Sequence, residues 1–172
     1  YNEPLDVVKP TVYAALTVDW PKEKLNVYIL DDGSRKEFKD FACEVGAGYI
    51  EREEHKHAKA GNINHAMGIT KGDFIAIFDC DHVPVKTFLQ KTMGWFLKDE
   101  KIALVQTPHH FYSQDPFEKN LHLKENVPNE NSLFHDFIQK GNDTWNATMF
   151  CGSCAIMRRK ALEEVGGIAV ET

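Results

Sequence analysis

The stretch Phe74-Ile75-Ala76-Ile77-Phe78, which delivers Asp79-Cys80-Asp81, constrains the fold more than any other part of the chain. It is an apolar run of strand length, bounded by Lys71-Gly72-Asp73 upstream and Pro84 downstream. Such a run reads as a strand buried on both faces, as in a parallel sheet covered by helices. Two carboxylates at i and i+2, where that strand ends, are costly to hold together unless a cation sits between them. A pair of loop aspartates capping the next helix is the plainer alternative for a bare D-x-D. An EF-hand is excluded, because further ligands and a glycine after Asp81 are missing; Val83-Pro84 stand there instead.

The same design occurs earlier. Asn26 to Leu30 reads as a strand ending in Asp31-Asp32-Gly33-Ser34, and Ser34 with Glu37 forms an S-x-x-E capping box. Phe38, Phe41, Ala42 and Val45 then mark one helical face, stopped by Gly46. Upstream, Leu5, Val8, Val12 and Ala15 predict a helix closed by Trp20-Pro21, with Pro10 tolerable only near a first turn or at a kink. Tyr49-Ile50 begins another strand and His55 to Ala60 forms a polar loop. Ile63, Ala66, Met67 and Thr70 mark a helix, as do Phe88, Leu89, Thr92, Met93 and Phe96, and Ile102 to Gln106 is a strand. Beyond Thr107 the spacing predicts a helix starting at Asp115-Pro116-Phe117-Glu118, one carrying Leu133, Phe134, Phe137 and Ile138, and a loop over 142–150. A strand at Ala155 to Met157 and a short helix ended by Gly166-Gly167 follow.

Strands alternating with helices imply an α/β fold with a mostly parallel, doubly wound sheet. Ligands in such sheets sit beyond the carboxyl ends of the strands. Asp31, Asp32, Asp79 and Asp81 all occupy such ends and are expected to face one crevice.

At 172 residues the chain fits one domain with a substantial core, and its net charge of −6 and lack of a basic stripe argue against a nucleic-acid partner. No apolar run reaches membrane-spanning length. Four cysteines, Cys43, Cys80, Cys151 and Cys154, are too sparse for a disulfide framework, so a reducing cytosol is expected. Asn142-Asp143-Thr144 and Asn146-Ala147-Thr148 fit the glycosylation sequon by coincidence. A crevice rich in aspartate repels an anionic substrate unless a divalent cation bridges them; hard oxygen ligands suit Mg²⁺ or Mn²⁺, completed by substrate phosphates. Lys59, within His57-Ala58-Lys59-Ala60-Gly61-Asn62, would neutralise more phosphate charge, or is simply a solvated lysine. Neither GxGxxG nor GxxxxGK[ST] occurs. Cys151-Gly152-Ser153-Cys154 is a C-x-x-C, but it has no second pair at zinc spacing and no thioredoxin-like surroundings, so zinc or redox roles are not favoured.

Seven segments, taken together, resemble the catalytic domain of bacterial cellulose synthases, which are family 2 processive glycosyltransferases. They are Tyr1-Asn2-Glu3, Leu30-Asp31-Asp32-Gly33, His57 to Asn62, Phe78 to His82, Gln106-Thr107-Pro108-His109, Phe150 to Ser153, and Gly166 to Thr172. The resemblance is collinear over essentially the whole chain. It implies a GT-A (Rossmann-like) fold and inverting transfer of glucose from UDP-glucose to a growing β-1,4-glucan, with Mg²⁺ or Mn²⁺. By the same resemblance, Tyr1, Glu3 and Asp32 help form the nucleoside pocket, Lys59 and Asp79 contact the uridine diphosphate, and Asp81 holds the metal. His109, Phe150, Cys151, Gly152 and Ser153 line the acceptor end.

The family's base, the aspartate of a Thr-Glu-Asp motif, is expected just after Thr172, and a first, central strand before Tyr1. Membrane helices, the Q-x-x-R-W segment and a cyclic-di-GMP-sensing domain are expected elsewhere in a longer protein. That protein would lie at the cytoplasmic face of the bacterial inner membrane, with a periplasmic partner subunit. This chain alone is therefore expected to be inactive and only weakly stable. The alternatives are another β-glycan synthase, using UDP-N-acetylglucosamine or UDP-glucuronate, and a nucleotide-binding module without chemistry.

Overall fold

The computed structural model describes residues 3–110 and 133–170. The expected helix start at Asp115 lies outside them. Two small sheets organise the chain. β1 (Tyr28–Leu30) pairs in parallel with β2 (Gly48–Ile50), joined by the crossover helix α2 (Lys36–Val45). α2 packs with α1 (Leu5–Leu16), as its period predicted: Val8, Val12, Ile29, Phe38, Phe41 and Ala42 form one core cluster. Gly46 ends α2 with φ 74°, the left-handed cap that glycine adopts without strain. Pro10 sits in the second turn of α1.

The start of α2 departs from expectation. Ser34 lies at φ 48°, so the helix begins one residue later, with Arg35 as its first flanking residue and no side-chain cap. Glu37 then falls one position short of where a capping box needs it. The Asp31 carboxylate takes over, accepting from the N–H groups of Gly33 (3.0 Å) and Arg35 (2.8 Å).

After α3 (Ala58–Ile69), the second sheet contains β3 (Phe74–Ile77), β4 (Leu104–Gln106) and β5 (Ala155–Arg158), with α4 (Phe88–Lys98) between β3 and β4. The spatial order is β3-β5-β4. β5 runs antiparallel to both neighbours, so β3 and β4 are parallel to each other across it. Here burial differs from the reading of the sequence. The most deeply covered strand is β5, whose Ala155, Ile156 and Met157 are buried; β3 is half-buried, with Ala76 exposed. Among the described residues β3 and β1 each pair on one side only, and a strand at an open edge cannot be sealed all round. Ile156 packs with Val18, Phe88, Leu89 and Phe96, while Met157 joins Ile63 and Ile77.

Leu133–Gln139 forms a π-helical turn continued by α5 (Lys140–Thr144), which reaches into the expected loop. Its polarity is the reverse of that expected from its apolar residues: His135 and Gln139 are buried, whereas Leu133, Phe137 and Ile138 are exposed. The amide of Gln139 donates to the carbonyl of Met149 and to Cys151 Sγ, both at 2.9 Å, which draws the polar side inward. After β5, α6 (Arg159–Glu164) ends at Gly166 and Gly167, both with positive φ. At Gly167 a Cβ would stand 2.6 Å from Asn64 Oδ1. The bare backbone lets Ile168 exchange two 2.8 Å hydrogen bonds with the Asn64 side chain.

Candidate active site

The two acidic strand ends reach different electrostatic states. Beyond β1, Asp31 is only 3 % exposed. Besides the two backbone donors, it accepts from Arg35 Nε (3.1 Å), Arg35 Nη2 (2.9 Å) and the Tyr49 hydroxyl (3.0 Å). Burial by itself would raise its pKa, but these partners outweigh burial and hold the carboxyl below its ordinary value. The Tyr49 hydroxyl is pushed up, by burial first and then by Asp31. Asp31 is thus a structural anchor, which corrects the expectation of four carboxylates sharing one crevice. Asp32 is held by twin bonds from Arg52, at 2.6 and 2.7 Å. Arg52 also donates to the carbonyls of Lys56 (2.8 Å) and Ala58 (3.0 Å), so Asp32 is tied to the loop that leads into α3. A cleft of about 1060 Å³ opens beside this loop, between Arg52, the N-terminal half of α3 and Val170.

Beyond β3 the carboxylates stay open. Asp81 has a side chain 65 % exposed, with His82 Nε2 at 3.9 Å. Asp79 meets Lys59, in the first turn of α3, and the same ammonium donates to the carbonyl of Gly152. Gly152 lies at φ 85°, a conformation that costs glycine little and turns that carbonyl to the lysine. The N–H of Asp79 donates to Ser153 Oγ (2.8 Å), and the same hydroxyl is hydrogen-bonded to His82 Nδ1 (2.7 Å). Ser153 is fully buried. Its carbonyl accepts from Gln106 Nε2 (2.9 Å) and His109 Nε2 (3.0 Å), while Gln106 Oε1 accepts from the N–H of Cys151 (2.9 Å). A strip running from Cys151 to Cys154 is thereby knitted to the ends of β3 and β4.

The structure therefore brings Lys59, Asp79, Gly152 and Ser153 into direct contact, with Asp81 and His109 around them and Cys151 joined through Gln106. Phe150 packs on the Ile63, Ile77 and Met157 cluster. The Glu3 carbonyl accepts from Arg35 Nη1 at 2.8 Å, next to buried Asp31. Tyr1 lies outside the described residues. Arg52, Gln139 and Asn64 carried no role in the sequence reading. Their signal is weak: each is a polar residue whose partners are distant in sequence or on the main chain.

The exposed carboxylate oxygens of Asp81 are hard donors suited to Mg²⁺ or Mn²⁺. Lys59 already compensates Asp79, leaving one acidic group open to an added cation.

Comparison with known proteins follows the same line. The family model for glycosyl transferase family 2 matches residues 1–166. The chain is 60% identical over its full length to a UDP-forming cellulose synthase catalytic subunit of Xanthomonas axonopodis pv. citri, of which it covers 24%. It is 58% identical to one of Pseudomonas fluorescens, covering 23% of it. Over its full length it is 59% identical to cellulose synthase 1 of Komagataeibacter xylinus, of which it covers 11%. The chain thus spans about a quarter or less of the length of these curated relatives. Among solved structures, a mannosyltransferase from Pyrobaculum calidifontis, in complex with GDP-Man and Mn²⁺, matches all of this chain and 46% of that one, at TM-score 0.66 and 18% identity. Glucosyl-3-phosphoglycerate synthase from Mycobacterium tuberculosis, in complex with UDP, matches 90% of this chain and 54% of that one, at TM-score 0.56 and 18% identity.

Proposed function

Because this chain belongs to glycosyl transferase family 2, we propose that it is the donor-binding part of a UDP-forming cellulose synthase. It would present UDP-glucose to a growing β-1,4-glucan, as one GT-A domain that includes residues 1–172. The carrying observation is the Lys59 bridge between Asp79 and the Gly152 carbonyl, which ties the acidic strand end to the strip assigned to the acceptor. A diphosphate beside Lys59 would lie where both meet.

Asp81 would hold Mg²⁺ or Mn²⁺, which when bound offsets the charge that builds on the departing diphosphate. Lys59 adds a further positive charge at the same place. Asp32, locked by Arg52, would face the nucleoside together with Tyr1 and Glu3. His109, Phe150, Cys151, Gly152 and Ser153 would line the acceptor end. Ser153 holds the N–H of Asp79 and, through its carbonyl, His109, so donor and acceptor sides move as one unit. The base is assigned to an aspartate of the longer protein beyond Thr172.

No helix among the described residues is long and apolar enough to cross a membrane. We assign the domain to the cytoplasmic face of a bacterial inner membrane, beside spanning segments of the same protein and a periplasmic partner subunit. The test is transfer by the full-length protein from radiolabelled UDP-glucose and, separately, UDP-N-acetylglucosamine. Glucose incorporation into β-1,4-glucanase-sensitive product, lost in Asp81→Asn, is expected. Faster incorporation from UDP-N-acetylglucosamine would replace this reading with that of another β-glycan synthase.

A further inference from the structure

The C-x-x-C motif does not act as a pair. Cys151 Sγ accepts a hydrogen bond from Gln139, whereas Cys154 Sγ lies 3.7 Å from His82 Nδ1. Cys154 gathers two histidines that the sequence separates widely. Ligand atoms of His82, His109 and Cys154 all lie within 4.8 Å of one another. We propose that His82, His109 and Cys154 form a binding site for one borderline-soft divalent cation, of which Zn²⁺ is the best fit, distinct from the carboxylate site of Asp81.

Ligand chemistry favours this. Thiolate and imidazole are donors that Zn²⁺ takes readily, and three of them leave a fourth position open, whereas Mg²⁺ prefers carboxylate and phosphate oxygens. Tetrahedral coordination with such ligands sets donor atoms roughly 3.3–3.6 Å apart. The 3.7 Å separation between Cys154 and His82 already approaches that spacing, and the third ligand has to close by about 1.5 Å at most.

The surroundings are built for ligation as well. His109 donates its Nε2–H to the Ser153 carbonyl. The neutral ring then carries its lone pair on Nδ1, the arrangement in which a second hydrogen bond orients a ligating histidine. The rings of His82 and His109 stand 4.9 Å apart, and His135 follows at 5.1 Å, which limits rotation of His109. Ser153 Oγ lies 3.6 Å from Cys154 Sγ. When His82 Nδ1 turns to the ion, this hydroxyl can donate to the new thiolate while it still accepts from the N–H of Asp79. The step balances simply: the thiol releases its proton to solvent and one Zn–S bond forms.

Resting on the functional reading above, the consequence is inhibition. An ion here draws His82 Nδ1 off the Ser153 hydroxyl, within the strip that joins donor and acceptor sides. Zn²⁺ should therefore slow transfer even with Mg²⁺ in large excess, and Cys154→Ala should relieve that inhibition.

The test is Co²⁺ titration of the full-length protein, followed by absorption. Wild type is expected to develop a thiolate-to-cobalt band that Zn²⁺ bleaches. Cys154→Ala should lose it, with affinity down on the order of 100-fold, and Cys43→Ser should keep it. His109→Phe should weaken it as well. A band of equal strength in wild type and Cys154→Ala, or no band in wild type, overturns the proposal. Equal Zn²⁺ inhibition of wild type and Cys154→Ala overturns its inhibitory part. UDP binding with Mg²⁺, measured on the same samples, keeps the two readings separate. Its loss from wild type alongside a normal cobalt band sinks the donor site and leaves the zinc site standing.

Discussion

Asp31-Asp32 and Asp79-Cys80-Asp81 are nearly the same device in sequence, an apolar strand that ends in two carboxylates. In the structure they diverge. The first pair is saturated by the protein itself: Asp31 has Arg35, Tyr49 and two backbone donors, and Asp32 has both arms of Arg52. The second has one lysine on Asp79, and Asp81 largely in solvent. Carboxylates matched by internal cations stabilise the fold, whereas those left partly unmatched are available to a ligand that brings its own cation. A stable chain could have closed both ends. This one left the second open.

Substitutions should separate these roles, and the largest effect belongs to the open end. Asp81→Asn in the full-length protein should lower glucosyl transfer by about 10³-fold, in line with losing a charge-stabilising group, while its thermal melt stays within about 1 °C. A large drop in melting temperature would show that Asp81 is structural after all. Asp31→Ala should invert this pattern and destabilise by about 3 kcal/mol in a denaturant titration, because Arg35 and Tyr49 lose a buried partner. Arg52→Ala should cost about 2 kcal/mol and weaken UDP binding, since it frees both Asp32 and the loop entering α3.

Acid should act on the closed end. The Asp31 carboxyl is held below its ordinary value of 3.8 in the folded chain. Its contribution is therefore fully present above that value and is lost as pH falls through the lower folded-state value. Acid unfolding followed by circular dichroism should show this loss, and Asp31→Asn should flatten it. The smallest effect is expected at Ser34→Ala, below about 0.5 kcal/mol, where a true helix cap would cost about 1 kcal/mol.

Much of this was legible in the chain, and the reasons differ by region. α2 could be read outright, because Phe38, Phe41, Ala42 and Val45 repeat at helical spacing and Gly46 stops them. The positions of Asp79 and Lys59 followed from where a strand ends and a helix starts. The closed state of Asp31 was not legible, since Arg35, Tyr49 and the left-handed Ser34 turn act together only once the chain has folded. Local pattern also misled over Leu133–Gln139, where the pull of Gln139 on Met149 and Cys151 outweighs the apolar period. The centrality of β5 was hidden because Ala155 to Met157 is a short run, buried only by two neighbours from distant parts of the chain. His82, His109 and Cys154 show the same limit: neither spacing nor motif reveals a cluster assembled by three separate loops.

The most direct test of the contrast between the two ends is calorimetric titration of UDP into the full-length protein, with and without Mg²⁺, for wild type, Asp81→Asn and Ser34→Ala. Mg²⁺-dependent binding in wild type and Ser34→Ala, and its loss in Asp81→Asn, is the expected result. Binding of equal strength in Asp81→Asn, or with no dependence on Mg²⁺, would contradict the assignment of the open strand end as the donor site.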